Sequence, residues 1–176
     1  MPRPKLAILV LLSLLFVAGC SGGNSDEGAP SAADTLVETG LQQLAKGDDA
    51  KAKATFENVL ELDSDNVYAH YNLGLIAQDA GKDQLAIKHY DAALKTDPKF
   101  TSALYNKGIL LESDDLDAAV KLYRRAIAVD SKLAAAHMRL GFALLHQGET
   151  EKAEEHLSKG VKLDPSMADV KAPTYD

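Results

Sequence analysis

Residues 67–100 read VYAHYNLGLIAQDAGKDQLAIKHYDAALKTDPKF. A glycine at 81 and the pair Asp97-Pro98 punctuate this run, because glycine accepts positive φ at no steric cost and proline cannot continue a helix. Between those breaks the segment reads as two helices joined by a short turn. Gly74 sits inside the first helix, and Ala86, Tyr90 and Ala93 sit in the second. A glycine in mid-helix is unfavourable, so Gly74 marks a place where two backbones must come close.

The same company recurs on both sides. Gly40, Gly74, Gly108 and Gly141 stand 34, 34 and 33 residues apart. Each is followed by an alanine (Ala52, Ala86, Ala119, Ala153), then four residues on by a large side chain (Phe56, Tyr90, Tyr123, Leu157). Three residues further comes a slim one (Val59, Ala93, Ala126, Gly160). A fixed period of this length means stacked copies of one supersecondary unit. Glycine and alanine let helices A and B of a unit cross closely, the large residue fills the space beside the crossing, and the slim one lets helix B meet the following helix A. Gly47, Gly81 and Gly148 are expected to end A helices, and Pro98 and Pro165 to stop B helices. Asp48, Asp83, Asp115 and Thr150 are candidate N-caps for the B helices.

The residues Tyr71-Asn72-Leu73-Gly74, Gly81, Ala86, Tyr90, Ala93 and Asp97-Pro98 resemble the tetratricopeptide repeat. The resemblance implies an all-α fold, an open curved α-solenoid of four helix–turn–helix units at 33–66, 67–100, 101–133 and 134–167. There are departures. Thr39 and Ser64 replace the family's leucine and proline in the first unit, and the third is one residue short in its turn, Ser113-Asp114-Asp115, without a glycine. An αL aspartate would let that turn survive in tightened form. Residues 168–176 form a stub: Ala168 to Ala172 reads as the opening of a fifth helix A, cut off by Pro173, which would leave the outer face of the last B helix partly bare. That face is a candidate for self-contact and a homo-oligomer.

The first 19 residues have a signal-peptide pattern: Arg3 and Lys5, then an apolar run from Leu6 to Phe16 interrupted by Ser13. Even a helix of 13 residues would span only about 20 Å of a ~30 Å hydrocarbon core. Val17-Ala18-Gly19-Cys20 resembles the bacterial lipobox, which implies cleavage before Cys20 and a lipid anchor on its sulfur. Residues 20–32 would then be the lipidated cysteine and a polar tether with a reach of roughly 19 Å. Ser21 implies, by the same resemblance, the outer membrane in a cell with two membranes; in a cell with one membrane it says nothing, and the anchor alone implies the outer face of the plasma membrane. Removing Arg3 and Lys5 from the 19 basic residues leaves 17 against 26 acidic ones, a net charge of −9. That balance disfavours nucleic acid and adsorption to anionic lipid.

No catalytic constellation, cofactor motif or metal-ligand set is expected. Asp63-Ser64-Asp65-Asn66 opens like a calcium loop but lacks the later glycine and glutamate; it reads as an inter-repeat turn, with Asn66 capping the next helix. His70 and His137 share one repeat position, and His89 and His156 another. Each equivalent pair is 67 residues apart, too far to converge on a metal.

Family resemblance assigns the A helices to the concave, partner-binding face. By repeat register that face offers Asp34, Val37, Glu38 and Leu41, then Tyr68, Tyr71, Asn72, Leu75 and Gln78. Next come Ser102, Tyr105, Asn106, Ile109 and Glu112, and finally Ala135, Met138, Arg139, Phe142 and His146. The groove residues proper are Tyr68, Tyr71, Asn72, Leu75, Tyr105, Asn106, Ile109, Met138, Arg139 and Phe142. Asn72 and Asn106 stand in equivalent places, where an amide can both donate to and accept from a peptide backbone. The carboxylate clamp of chaperone-binding relatives is not expected, since Tyr71, Leu75 and Ala135 stand where Lys, Asn and Lys would be. The chain resembles tetratricopeptide lipoproteins of bacteria, some of which help assemble pili or secretion pores while others recruit cell-wall enzymes. A non-enzymatic, lipid-anchored scaffold that holds a peptide or helix of a protein partner is therefore expected.

Overall fold

The computed structural model describes residues 30–175. Eight α-helices follow one another: α1 (Ala32–Ala45), α2 (Asp49–Leu62), α3 (Val67–Asp79), α4 (Asp83–Thr96), α5 (Thr101–Leu111), α6 (Leu116–Val129), α7 (Ala134–His146) and α8 (Thr150–Leu163). A 3₁₀ turn, Pro165–Asp169, closes the series, and there is no strand among the described residues. Each helix packs on its chain neighbours, more extensively within a helix pair than between pairs. This is an α-solenoid, with α1, α3, α5 and α7 as its A helices.

The crossing in each unit is made by a side chain of helix B lying against the glycine of helix A. A Cβ added at Gly40 would come within 2.7 Å of the Phe56 ring, at Gly74 within 2.5 Å of Tyr90, at Gly108 within 2.6 Å of Tyr123 and at Gly141 within 2.6 Å of Leu157 Cγ. Ala52, Ala86, Ala119 and Ala153 are fully buried. Val59 shares a buried cluster with Ala69 and Leu73 of the next helix A, as the spacing predicts. Gly160 differs: a Cβ there would meet Met138 Sδ at 2.7 Å, so it faces the A helix of its own unit.

Gly47, Gly81 and Gly148 are the positive-φ residues of the described chain, and each ends an A helix. Around Gly47, Asp48 N–H reaches back to Gln43 O (2.9 Å) and Gly47 N–H to Leu44 O (2.9 Å), the paired pattern of a Schellman turn. The third unit solves the turn otherwise. No non-glycine residue there takes positive φ, contrary to the αL aspartate expected; α5 ends early, and Asp114 and Asp115 N–H both bond Leu111 O.

Capping also departs from the reading of the sequence. Asn66 caps α3 by accepting from Ala69 N–H (3.0 Å), and Asp115 caps α6 by accepting from Ala118 N–H (2.9 Å). Asp48 holds the N-cap position without a side-chain cap bond. Asp83 and Thr150 lie one residue inside their helices, whose N-caps are Lys82 and Glu149. The B helices instead share an ending: Asp97, Asp130 and Asp164 each accept the N–H two residues on, at 2.9–3.0 Å.

The fifth helix A does not form. Asp164 takes both the N–H (3.0 Å) and the hydroxyl (2.7 Å) of Ser166, the 3₁₀ turn ends at Asp169, Val170 is extended, and residues 171–175 hold no regular secondary structure. Five residues before a proline are too few to nucleate a helix, and Pro173 disfavours helical backbone at Ala172. Nor does α8 expose an apolar face. Its exposed residues are Thr150, Glu151, Lys152, Glu154, Glu155, Ser158, Lys159 and Lys162. The bare patch expected on the last B helix is thus a charged surface that serves as a solvent cap.

Gly74→Ala is expected to destabilise the chain by about 1–3 kcal/mol, because the new methyl drives into the Tyr90 ring. In a Tyr90→Ala background the same change should become neutral or stabilising, since alanine is the better helix former by about 1 kcal/mol. Urea denaturation of the four chains in this cycle measures the sign change.

Candidate protein-binding groove

The A helices are joined side by side through polar contacts. Asn106 Nδ2 donates to the Tyr71 hydroxyl at 3.1 Å, bridging α5 to α3. Arg139 of α7 donates to Glu112 Oε2 at 2.8 Å, just past the end of α5. The other carboxylate oxygen, Glu112 Oε1, accepts from the Tyr123 hydroxyl at 2.7 Å. In the second unit the Tyr90 hydroxyl donates to Gln78 Oε1 at 2.7 Å, and in the first Thr55 Oγ1 donates to Gln43 Oε1 at 2.8 Å.

Burial pushes the Glu112 carboxyl up, opposed by the Tyr123 hydrogen bond and the Arg139 charge. Burial likewise raises Tyr90 and Tyr123, so both phenols stay protonated and act as donors. A buried carboxylate with two charge-strengthened or hydroxyl donors is a fixed anchor, and removing either donor would strand it.

These contacts redistribute what the predicted residues can offer. Asn72 and Asn106 are each 4% exposed. Asn72 Nδ2 donates to Tyr68 O of its own helix at 2.7 Å, so both amide nitrogens are engaged inside the protein. Tyr71, Tyr105, Met138 and Phe142 are buried as well. Leu75, Ile109 and Arg139 are half-buried, and Tyr68 is 57% exposed with its ring edge against Phe100 at 5.8 Å. Leu41 and His146 are exposed at the two ends of the row. Tyr68, Leu75, Ile109 and Arg139 therefore form the accessible part, and the asparagines its internal struts. Cys20 lies outside the described residues, as do the signal-peptide pattern and most of the tether.

Two contacts escaped the reading of the sequence. His70 Nδ1 lies 3.3 Å from His89 Nδ1, and His137 Nδ1 lies 3.0 Å from His156 Nδ1. Each pair joins helix A to helix B of one unit. His70 Nε2 faces Ser64 O at 3.1 Å and His137 Nε2 faces Ser131 O at 3.3 Å. A carbonyl only accepts, so those nitrogens carry the proton; the Nδ1 of His70 and His137 then accepts, and His89 and His156 donate. The signal was the shared separation of 19 residues rather than the 67 between equivalent positions. No group of three or more His, Cys, Asp or Glu side chains fit to hold a metal occurs among the described residues.

Tetratricopeptide-repeat family models match residues 37–100 and 110–172. The chain belongs to the tetratricopeptide-repeat proteins. Among known proteins it is similar to the type IV pilus assembly protein PilF of Pseudomonas aeruginosa, at 28% identity over 177 residues that take in 92% of this chain and 69% of PilF. The solved PilF structure superposes with a TM-score of 0.67 at 26% identity, over 76% of this chain and 62% of that one. It is also similar to the photosystem I assembly protein Ycf3 of Acaryochloris marina, at 30% identity over 48% of this chain and 58% of Ycf3. YrrB, a tetratricopeptide protein with an unusual peptide-binding site, superposes with a TM-score of 0.63 at 25% identity, over 76% of this chain and 70% of that one. A protein-interaction scaffold is the class these similarities define.

The histidine pairs predict a pH response. Burial, then the partner imidazole, lowers both His89 and His156, with Glu57 and Glu155 pulling the other way and Lys53 and Arg124 reinforcing. A lowered folded pKa means the unfolded chain takes up the proton first. Stability is then full above about pH 6.5, the unfolded value, and falls as pH drops from there toward the folded one. Denaturation at pH 7.5 and 5.5 should show that loss, and His89→Gln with His156→Gln should shrink it.

Proposed function

We propose that this chain is a non-enzymatic scaffold of a bacterial envelope, anchored through lipid on Cys20, which holds a protein partner on its A-helix face. The observation that carries the proposal is the accessible row Tyr68, Leu75, Ile109 and Arg139 on helices whose spacing is fixed by the Asn106–Tyr71 and Arg139–Glu112 bonds. A pre-ordered surface with apolar and aromatic positions and one cation suits an extended peptide or an amphipathic helix, because little of its own freedom is lost on binding. The lipobox pattern at 17–20 supports an extracytoplasmic site, and the short tether after it would keep the array near the membrane. The similarity to PilF, named for pilus assembly, supports a role in building or recruiting an envelope complex.

Self-association through the last unit is the weaker reading, because the exposed residues of α8 are polar or charged. Co-purification from detergent-solubilised membranes tests the scaffold. Tyr68→Ala with Leu41→Ala, both exposed changes with little effect on stability, should lower partner recovery at least several-fold. Cys20→Ser should release the chain and its partner together into the soluble fraction. Recovery indifferent to Tyr68 and Leu41 would overturn the groove, and a Cys20→Ser chain still firmly membrane-bound would overturn the anchor.

A further inference from the structure

Val170, Lys171, Ala172 and Thr174 are exposed, but the segment returns to the protein at Pro173 and Tyr175, which are half-buried. After the 3₁₀ turn Val170 is extended and residues 171–175 hold no regular secondary structure, and the Tyr175 ring lies 5.0 Å from the ring of His146 at the end of α7. It packs against the buried cluster of the third and fourth units, which draws Tyr105 from α5 and Leu140 from α7 together with residues of α6 and α8. Burial raises the Tyr175 phenol, and the nearby charges of Glu112 and Arg139 act on it in opposite senses. Tyr175 is therefore seated on the A-helix face, among residues of the third and fourth units. Its hydroxyl is buried and makes no hydrogen bond.

We propose that Tyr105, Glu112, Arg139 and His146 form an aromatic subsite for an extended peptide, and that residues 170–175 occupy it as a displaceable internal ligand. The inference rests on the scaffold reading of this face and names the chemistry it selects. The segment Pro173-Thr174-Tyr175 supplies the template. Proline holds the backbone extended before docking, and the aromatic ring two residues later enters the subsite. The ring fits; the hydroxyl does not, because a buried donor without an acceptor weakens the contact. A partner segment of the form Pro-x-Phe satisfies the same subsite without that penalty and displaces the tail. The tail lowers the apparent affinity of the groove by the fraction of chains in which it is docked, which sets a threshold on partner binding.

The test uses the full chain with Cys20→Ser and a nitroxide attached at Ala172→Cys, an exposed position. Amide signals of Glu112, Arg139 and His146 should broaden in this protein, still broaden with Tyr175→Phe, and recover with Tyr175→Ala. Broadening confined to α8, or unchanged by Tyr175→Ala, overturns docking. A fluorescent peptide with the sequence of residues 170–176 should bind the Tyr175→Ala chain at least about tenfold tighter than the native chain, and its Tyr→Phe form about fivefold tighter again. Equal binding to both chains, binding to neither, or no preference for Phe overturns the proposal. Partner co-purification reads the two ideas separately. Tyr175→Ala that frees the tail without raising recovery removes the threshold but leaves the scaffold. A docked tail with recovery indifferent to Tyr68 and Leu41 leaves the tail contact and removes the scaffold.

Discussion

A side chain of helix B laid across a glycine of helix A sets the separation of the two helices in every unit, and the remaining geometry follows from it. With Cβ distances of 2.5–2.7 Å at all four glycines, no larger residue fits without displacing that side chain or the helix that carries it. Close crossing brings the Tyr90 hydroxyl within reach of Gln78 and that of Tyr123 within reach of Glu112. Glu112, so held, is placed to receive Arg139 from the next A helix. A steric fact inside one unit thus becomes an electrostatic link between units. This is how a solenoid with contacts mainly between neighbours fixes the spacing of its A helices.

The A-helix face differs in kind from a row of free polar side chains. The two asparagines that a peptide backbone could have used are committed to Tyr68 O and to the Tyr71 hydroxyl. Of the groove residues proper, those that remain accessible are apolar or aromatic apart from Arg139, whose side chain is 31% exposed. Its charge is already balanced by Glu112, so a ligand carboxylate would have to share it. Selectivity on such a surface comes from the shape and spacing of aromatic and aliphatic groups more than from charge. The overall acidity of the chain then acts at longer range and repels acidic partners.

The period, the helix pairs and the crossing were legible in the sequence because each depends on side-chain size at fixed spacing. Gly74, Ala86 and Tyr90 carry their roles in their identities. The turn of the third unit was less legible: Ser113-Asp114-Asp115 allows an αL residue but does not require one, and shortening α5 relieved the need. The N-caps slipped by one residue at Asp83 and Thr150, since the end of a helix depends on local geometry that an isolated Asp or Thr does not fix. Asn72 and Asn106 were placed on the correct helices by register, yet register does not say whether a half-turn faces solvent or the neighbouring helix. The histidine pairs were hidden by comparing equivalent positions in different units, when contacts across an A–B pair join non-equivalent ones.

The end of the array shows why the last segment turns inward. α8, the last α-helix among the described residues, turns charged residues outward. Among the described residues no apolar surface lies beyond α8, so the apolar side chains after Asp169 gain nothing by pointing outward there. Tyr175 reaches the cluster of the third and fourth units beside His146, a span that an extended chain of six residues, up to about 20 Å long, can cover. Val170, half exposed, stays at the rim while Tyr175 enters. The charged cap and the inward tail are thus two consequences of one absence, the fifth helix A that Pro173 forbids.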